Sequence, residues 1–236
     1  MRSWAAAIRV EVAKLRRSYV LWGTLAFFLF VTSIRLGEAD WTTYLQNVVF
    51  MFATVFGLIG FGIVSSWAFG REYTERTFKD LLALPVTRGK IVAAKSISAM
   101  LWSLTITMLT YEFAVWMGVI AGIPDFSIEV VRHFLVQMLI ISGMHLLLCG
   151  PVVWLASVSR GYLLPLAYAF TTLMIALVAG PTSLGPYLPW SVPALQLARS
   201  DSSVLPLDIW SYIIPVIVGT AGFAGTWAWW RWADHK

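Results

Sequence analysis

The sequence predicts an all-α polytopic membrane protein: six transmembrane helices, a cytoplasmic N-terminal amphipathic helix, and a short cytoplasmic helix between helices 2 and 3. Three observations carry that prediction. Only 12% of the 236 residues are charged and 59% are hydrophobic, whereas a water-soluble domain carries roughly 25% charged residues. The apolar residues gather into six runs near the length of about 20 residues that a helix needs to cross the bilayer core. The lysines and arginines are distributed unequally between the two sides of those runs, as the positive-inside rule requires. Thirteen tryptophans, a residue that favours membrane interfaces, agree with this class.

Residues 1–18 form the first element. In WAAAIRVEVAKLRR, Trp4, Ile8, Val12 and Leu15 stand near helical spacing, and Arg9, Arg16 and Arg17 fall mostly off that stripe. This pattern fits an amphipathic helix along the inner leaflet or a plain basic flank. Gly37-Glu38-Ala39 resembles a small-residue cleavage site, but the long basic start and the many later spans argue against a signal peptide. The apolar runs cover residues 19–34, 44–70, about 91–123, 133–158, 162–180 and 209–230.

Arg2, Arg9, Lys14, Arg16 and Arg17 precede the first run, and Arg71, Arg76, Lys79, Arg88, Lys90 and Lys95 lie between the second and third. Arg160, Arg231 and Lys236 share that side, while the other side holds Arg35, Arg132 and Arg199 with six acidic residues. Both termini are therefore expected in the cytoplasm. The outer loop, 181–208, holds Pro181, Pro186, Pro189, Pro193 and Pro206. Proline removes a backbone donor and breaks helix, so the loop is expected in the outer interface or as a short re-entrant element. No internal repeat of the kind found in many secondary transporters stands out.

Catalytic chemistry is not expected on this chain. The phosphate-loop pattern G-x-x-x-x-G-K-[ST] is missing, as is H-E-x-x-H. His145 has Cys149 four residues on, too few ligands for zinc, so no metal is expected. Ser142-Gly143 near His145 lacks a G-x-S-x-G context. Cys149 is alone, so it makes no internal disulfide. Gly57 to Gly62 read as close helix packing, as do the Gly118/Gly122 pair and Gly219, Gly222 and Gly225. The net charge of +5 reflects the cytoplasmic basic excess rather than a nucleic-acid surface. Glu112 is the one carboxylate well inside a span, in TYEFAVW. It reads as a substrate-path residue or as a packing carboxyl bonded to hydroxyl neighbours.

The most informative stretch is residues 71–90, REYTERTFKDLLALPVTRGK. Thr74 or Thr77 caps a short helix that ends at Pro85; Thr77 to Asp80 matches the [ST]-x-x-[DE] capping pattern. Phe78, Leu81, Leu82 and Pro85 make one face, and Glu75, Arg76, Lys79 and Asp80 the other. Such a helix is a handle for another protein, or else a solvated loop lying on lipid.

GREYTERTFKDLLALPVTRGKIVAAK resembles the signature of the ABC type 2 exporter permeases in Arg71, Glu72, Thr77, Leu81, Leu82, Pro85, Val86, Thr87, Arg88 and Lys95. EVAKLRRSYVLW and LPWSVPAL are similar to flanking parts of the short bacitracin- and lantibiotic-resistance permeases. The glycine usual before the leucine-rich stretch is replaced here by Arg76-Thr77. The resemblance implies a permease of the bacterial cytoplasmic membrane, paired with a second copy or a paralogue and with two copies of an ATP-binding subunit that holds ATP and Mg. This chain would then carry no cofactor and hydrolyse nothing. Residues Glu72, Thr74, Glu75, Arg76, Phe78, Lys79, Asp80, Leu81, Leu82 and Arg88 would belong to the coupling helix that docks on that subunit. The cargo would be hydrophobic or amphipathic: an antimicrobial peptide, an antibiotic or a lipid. Two other classes fit the residues less well: an ion-gradient carrier using Glu112, and a sensor or scaffold that docks a partner without transport.

Overall fold

The computed structural model describes residues 2–34, 38–78, 81, 86–198 and 206–232. All regular structure among them is helical: α1 (Arg2–Arg16), α2 (Tyr19–Ser33), α3 (Trp41–Thr74), α4 (Arg88–Ile120), α5 (Ile128–Val158), α6 (Leu163–Ala179), α7 (Val192–Leu197) and α8 (Ile209–Trp232). The protein is a polytopic membrane protein. Helices α3, α4, α5 and α8 are long and apolar enough to cross a membrane. Helices α2 and α6 are apolar but have only 15 and 17 residues. At about 1.5 Å per residue they fall short of a hydrocarbon core of about 30 Å.

Local chemistry sets the helix starts. The Ser18 hydroxyl accepts from Leu21 N (3.2 Å) at α2. Asp40 accepts from both Thr43 N (2.8 Å) and the Thr43 hydroxyl (3.0 Å) at α3; those bonds hold its carboxyl below the usual carboxylate range. Asp208 and Ser211 cap α8 reciprocally, Ser211 N on Asp208 Oδ1 (3.0 Å) and Asp208 N on Ser211 Oγ (3.2 Å). The bonds from Leu21 N, Thr43 N and Ser211 N each satisfy a first-turn amide that the helix leaves unpaired.

The tightest packing is α5 against α8. A Cβ placed on Gly150 would stand 2.1 Å from Gly219 O, and one on Gly222 would stand 2.2 Å from Gly150 C. The two backbones touch directly, as small residues allow between membrane helices. The Gly118/Gly122 pair behaves differently from the expectation. Gly118 accommodates the Trp41 ring, but Gly122 takes a left-handed φ of 67° just past the end of α4, with open space around its Cβ position. It ends the helix instead of packing against another.

In the middle of α3, residues Phe52–Phe56 form a π-helical turn. The His145 side chain from α5 enters beside Gly57, where any Cβ would lie 2.1 Å from the imidazole. His145 Nε2 meets Ala53 O at 3.1 Å. A carbonyl only accepts, so Nε2 carries the hydrogen. His145 is thus a buried packing residue. No group of three or more potential metal ligands occurs among the described residues.

Helix α1 does not lie free on the membrane. It packs on α4, with Trp102 Nε1 donating to Val12 O (3.0 Å). Leu15 is buried as expected, but Trp4 is exposed and Glu11 is buried. The inward face of α1 therefore carries a charge that its apolar stripe does not announce.

Candidate functional site

Four helical regions meet around one buried ammonium on the side expected to be cytoplasmic. Lys95 is 1% exposed, about two turns into α4. Its Nζ reaches Glu11 Oε2 of α1 (2.9 Å), Glu72 Oε1 of α3 (2.9 Å) and Ala68 O (3.1 Å). Lys14 of α1 binds the same two carboxylates, Glu11 at 3.0 Å and Glu72 at 2.8 Å. The Thr77 hydroxyl donates to the remaining oxygen of Glu72 (2.6 Å). Two ammoniums and two carboxylates balance, which is the condition for burying charge. Burial pulls the Lys14 ammonium toward a lower pKa, but Glu11 and Glu72 outweigh it and leave it above the ordinary lysine value.

Of the residues expected to dock a partner subunit, Glu72 is the one that takes part in this network among the described residues. Thr74 is the last residue of α3, so it does not begin the next helix. The following turn starts at Thr77, whose carbonyl accepts from Leu81 N (3.0 Å). Phe78 and Leu81 are both buried. Phe78 stacks on Tyr73 (ring centroids 4.3 Å) and meets Trp230 of α8 edge-on (5.1 Å). Arg88 Nη1 donates to Trp230 O (3.2 Å). Glu75 and Arg76 remain exposed, Glu75 paired with Arg71 Nε at 2.7 Å. Glu72, expected among the docking residues, points inward and is 4% exposed. Lys79, Asp80, Leu82 and Pro85 lie outside the described residues.

Arg76 has φ 60°, a left-handed conformation that costs a side-chain residue about 1 kcal/mol or more relative to glycine. It stands where the resembling family usually has glycine. Arg76→Gly is therefore expected to raise the stability of the purified chain by about 1 kcal/mol, read as an increased midpoint of thermal unfolding in detergent.

Glu112 lies on the exposed face of α4 and makes no ion pair among the described residues. The structure does not bring it to the charged network. On the outer side, α7 packs against the π-turn of α3 and against α5. A cavity of about 350 Å³ opens there between Phe50 and Thr54 of α3, Leu177 of α6, and Trp190, Ala194 and Leu195 of the outer loop. Its walls are largely apolar, because the Thr54 hydroxyl is turned back to Phe50 O (2.8 Å).

Residues 7–176 match the model of a family described as "ABC-2 family transporter protein". The chain belongs to the ABC-2 transporter family. It is also 24% identical, over 158 residues, to the bacitracin transport permease protein BCRB of Bacillus licheniformis, a match spanning 67% of this chain and 74% of that protein. The charged network and the 71–90 segment are thus features of an ABC transporter membrane subunit. Sequence reading found Glu72 and Lys95 only through the family signature. It did not single out Glu11 or Lys14. The available signal was an isolated glutamate in an alternating apolar stretch, VEVAK, and an isolated lysine in a small-residue stretch, VAAKSIS.

Proposed function

We propose that this permease is the membrane half of an ATP-driven exporter, working as a pair with two copies of a separate ATP-binding subunit that holds ATP and Mg. The observation that carries the reading is the anchoring of the 71–90 segment. It is tied to α1 and α4 through Glu72, to which Thr77 donates from within the segment, and to α8 through Phe78 and Arg88, while Glu75 and Arg76 stay exposed. A subunit seated on the exposed charges pushes a segment that is already locked to three helices. Nucleotide-driven closure then biases a two-state membrane element. The basic excess favours a cytoplasmic position for this segment and both termini, with the shorter apolar helices α2 and α6 completing six crossings beside the four long ones. The apolar outer cavity suits a hydrophobic or amphipathic cargo. The similarity to a bacitracin transport permease favours an antimicrobial peptide over a lipid. Glu112 lies on an exposed face and makes no ion pair among the described residues, which gives a proton path no support.

The reading is tested in proteoliposomes holding permease and ATP-binding subunit. The double reversal Glu75→Lys with Arg76→Glu is expected to leave basal ATP hydrolysis within about twofold and to lower transport by at least tenfold, the effect of losing more than about 1.4 kcal/mol of coupling. Normal transport by that variant would refute the docking assignment.

A further inference from the structure

The ends of α1, α2 and α3 on the side expected to be cytoplasmic enclose a cleft of about 450 Å³ whose walls carry Lys14, Arg17, Arg71 and Glu75 beside Tyr19 and Trp67. A second cleft, about 340 Å³, runs between α2 and α3 past Gly23, Phe27, Val55, Ile59 and Ile63. Tyr19 lines both. The two clefts therefore abut at Tyr19, the charged one beside the apolar one.

The charges around the charged cleft do not cancel. Lys14 and Lys95 are shared between Glu11 and Glu72. Arg71 pairs with Glu75 and lies over the Trp67 ring at 4.8 Å. Four cations, counting Arg17, thus face three carboxylates. Among the described residues Arg17 has no ion pair, and its side of α1 is exposed. The apolar part has a telling length. Tyr19 to Phe27 on α2 and Val55 to Ile63 on α3 each rise about 12 Å. One leaflet of hydrocarbon is about 15 Å deep, half of a core of about 30 Å. Basic pockets between membrane helices on the cytoplasmic side suit anionic headgroups.

We propose that the two clefts together form a groove that holds one anionic phospholipid of the cytoplasmic leaflet. Its phosphate sits on Arg17 and Arg71, and one acyl chain runs along Gly23, Phe27, Ile59 and Ile63. The leaflet assignment rests on the topology proposed above; the binding test in detergent does not depend on that topology or on ATP. A free phosphate satisfies only the charged end; a zwitterionic lipid fills the apolar part but brings an ammonium beside its phosphate, so it adds no net negative charge to offset the excess cation.

Native mass spectrometry of the purified full chain distinguishes these sources. With equal phosphatidylglycerol and phosphatidylcholine, the chain is expected to retain one phosphatidylglycerol in preference. Arg17→Ala is expected to weaken that retention roughly fivefold, the weight of one interfacial cation at an anionic lipid. Gly23→Phe is the steric probe. A Cβ there meets nothing within 4 Å, and Gly23 lines the apolar cleft, so the substitution builds into the groove. It is expected to abolish retention while leaving the unfolding midpoint in lipid-free detergent unchanged. Equal retention of both lipids, unaltered retention by Arg17→Ala or by Gly23→Phe, or displacement of the lipid by millimolar glycerol phosphate would each overturn the proposal.

Discussion

Replacement of Lys95 by methionine is expected to cost about 3–5 kcal/mol of stability, the usual consequence of removing one partner from a buried ion pair. Methionine nearly matches the lysine stem in volume, so little cavity forms and the loss is electrostatic. What remains is Glu11 and Glu72, both buried, with only Lys14 to share. The Ala68 carbonyl also loses its side-chain donor. The double variant Lys95→Met with Glu72→Gln removes one charge of each sign and keeps an amide at position 72 within reach of Thr77. It is expected to recover at least about 1 kcal/mol against the sum of the single effects, as directly coupled residues do. Thermal or denaturant unfolding of the three variants in detergent gives the cycle. Hydrogen exchange adds a local readout: α1 is held to α4 through Lys95, so its amides should exchange faster in Lys95→Met. A loss below about 1 kcal/mol, or strict additivity, would mean that the network does not tie α1 to the spans.

The helices were legible because a membrane imposes a one-dimensional rule: long apolar runs become helices whatever their neighbours do. Each of the six runs is a helix, and the glycines at 219 and 222 mark a backbone contact as their spacing suggested. The charged network was not legible in the same way. Lys95 and Glu11 are 84 residues apart and Lys95 and Glu72 are 23 apart, so no local spacing announces either pair. Lys95 was counted with the basic loop because composition cannot tell a flanking charge from one that has turned inward. Glu112 is the converse case. Its position in a span was evident, but its direction depends on how α4 is rotated against its neighbours. Thr74 and Thr77 each offered a capping hydroxyl. Because α3 extends through Thr74, Thr74 does not open the next turn; the Thr77 hydroxyl donates to Glu72, and the backbone bond after it runs from Leu81 N to Thr77 O.

Trp230→Ala is expected to carry the largest combined effect on stability and coupling. The indole is fully buried, and removal of a buried aromatic side chain costs about 3–5 kcal/mol. Its ring meets Phe69 (6.4 Å) as well as Phe78 (5.1 Å), so the coupling segment loses its platform on α8. The Arg88 bond is made to the backbone carbonyl of residue 230 and survives the change, so the segment should loosen rather than detach. Trp230→Phe is the control. It keeps an aromatic surface for Phe78 and loses the 3.0 Å bond from Nε1 to Ser157 Oγ, a loss of about 1 kcal/mol. Ser157 still donates to Val153 O (3.0 Å), so no buried hydroxyl is stranded. Both variants should unfold at lower temperature, in that order of severity. Only Trp230→Ala should separate ATP hydrolysis from transport in the reconstituted complex. Equal coupling by the two, at a temperature where both are folded, would show that the Phe78 platform plays no part in passing motion from the coupling segment to α8.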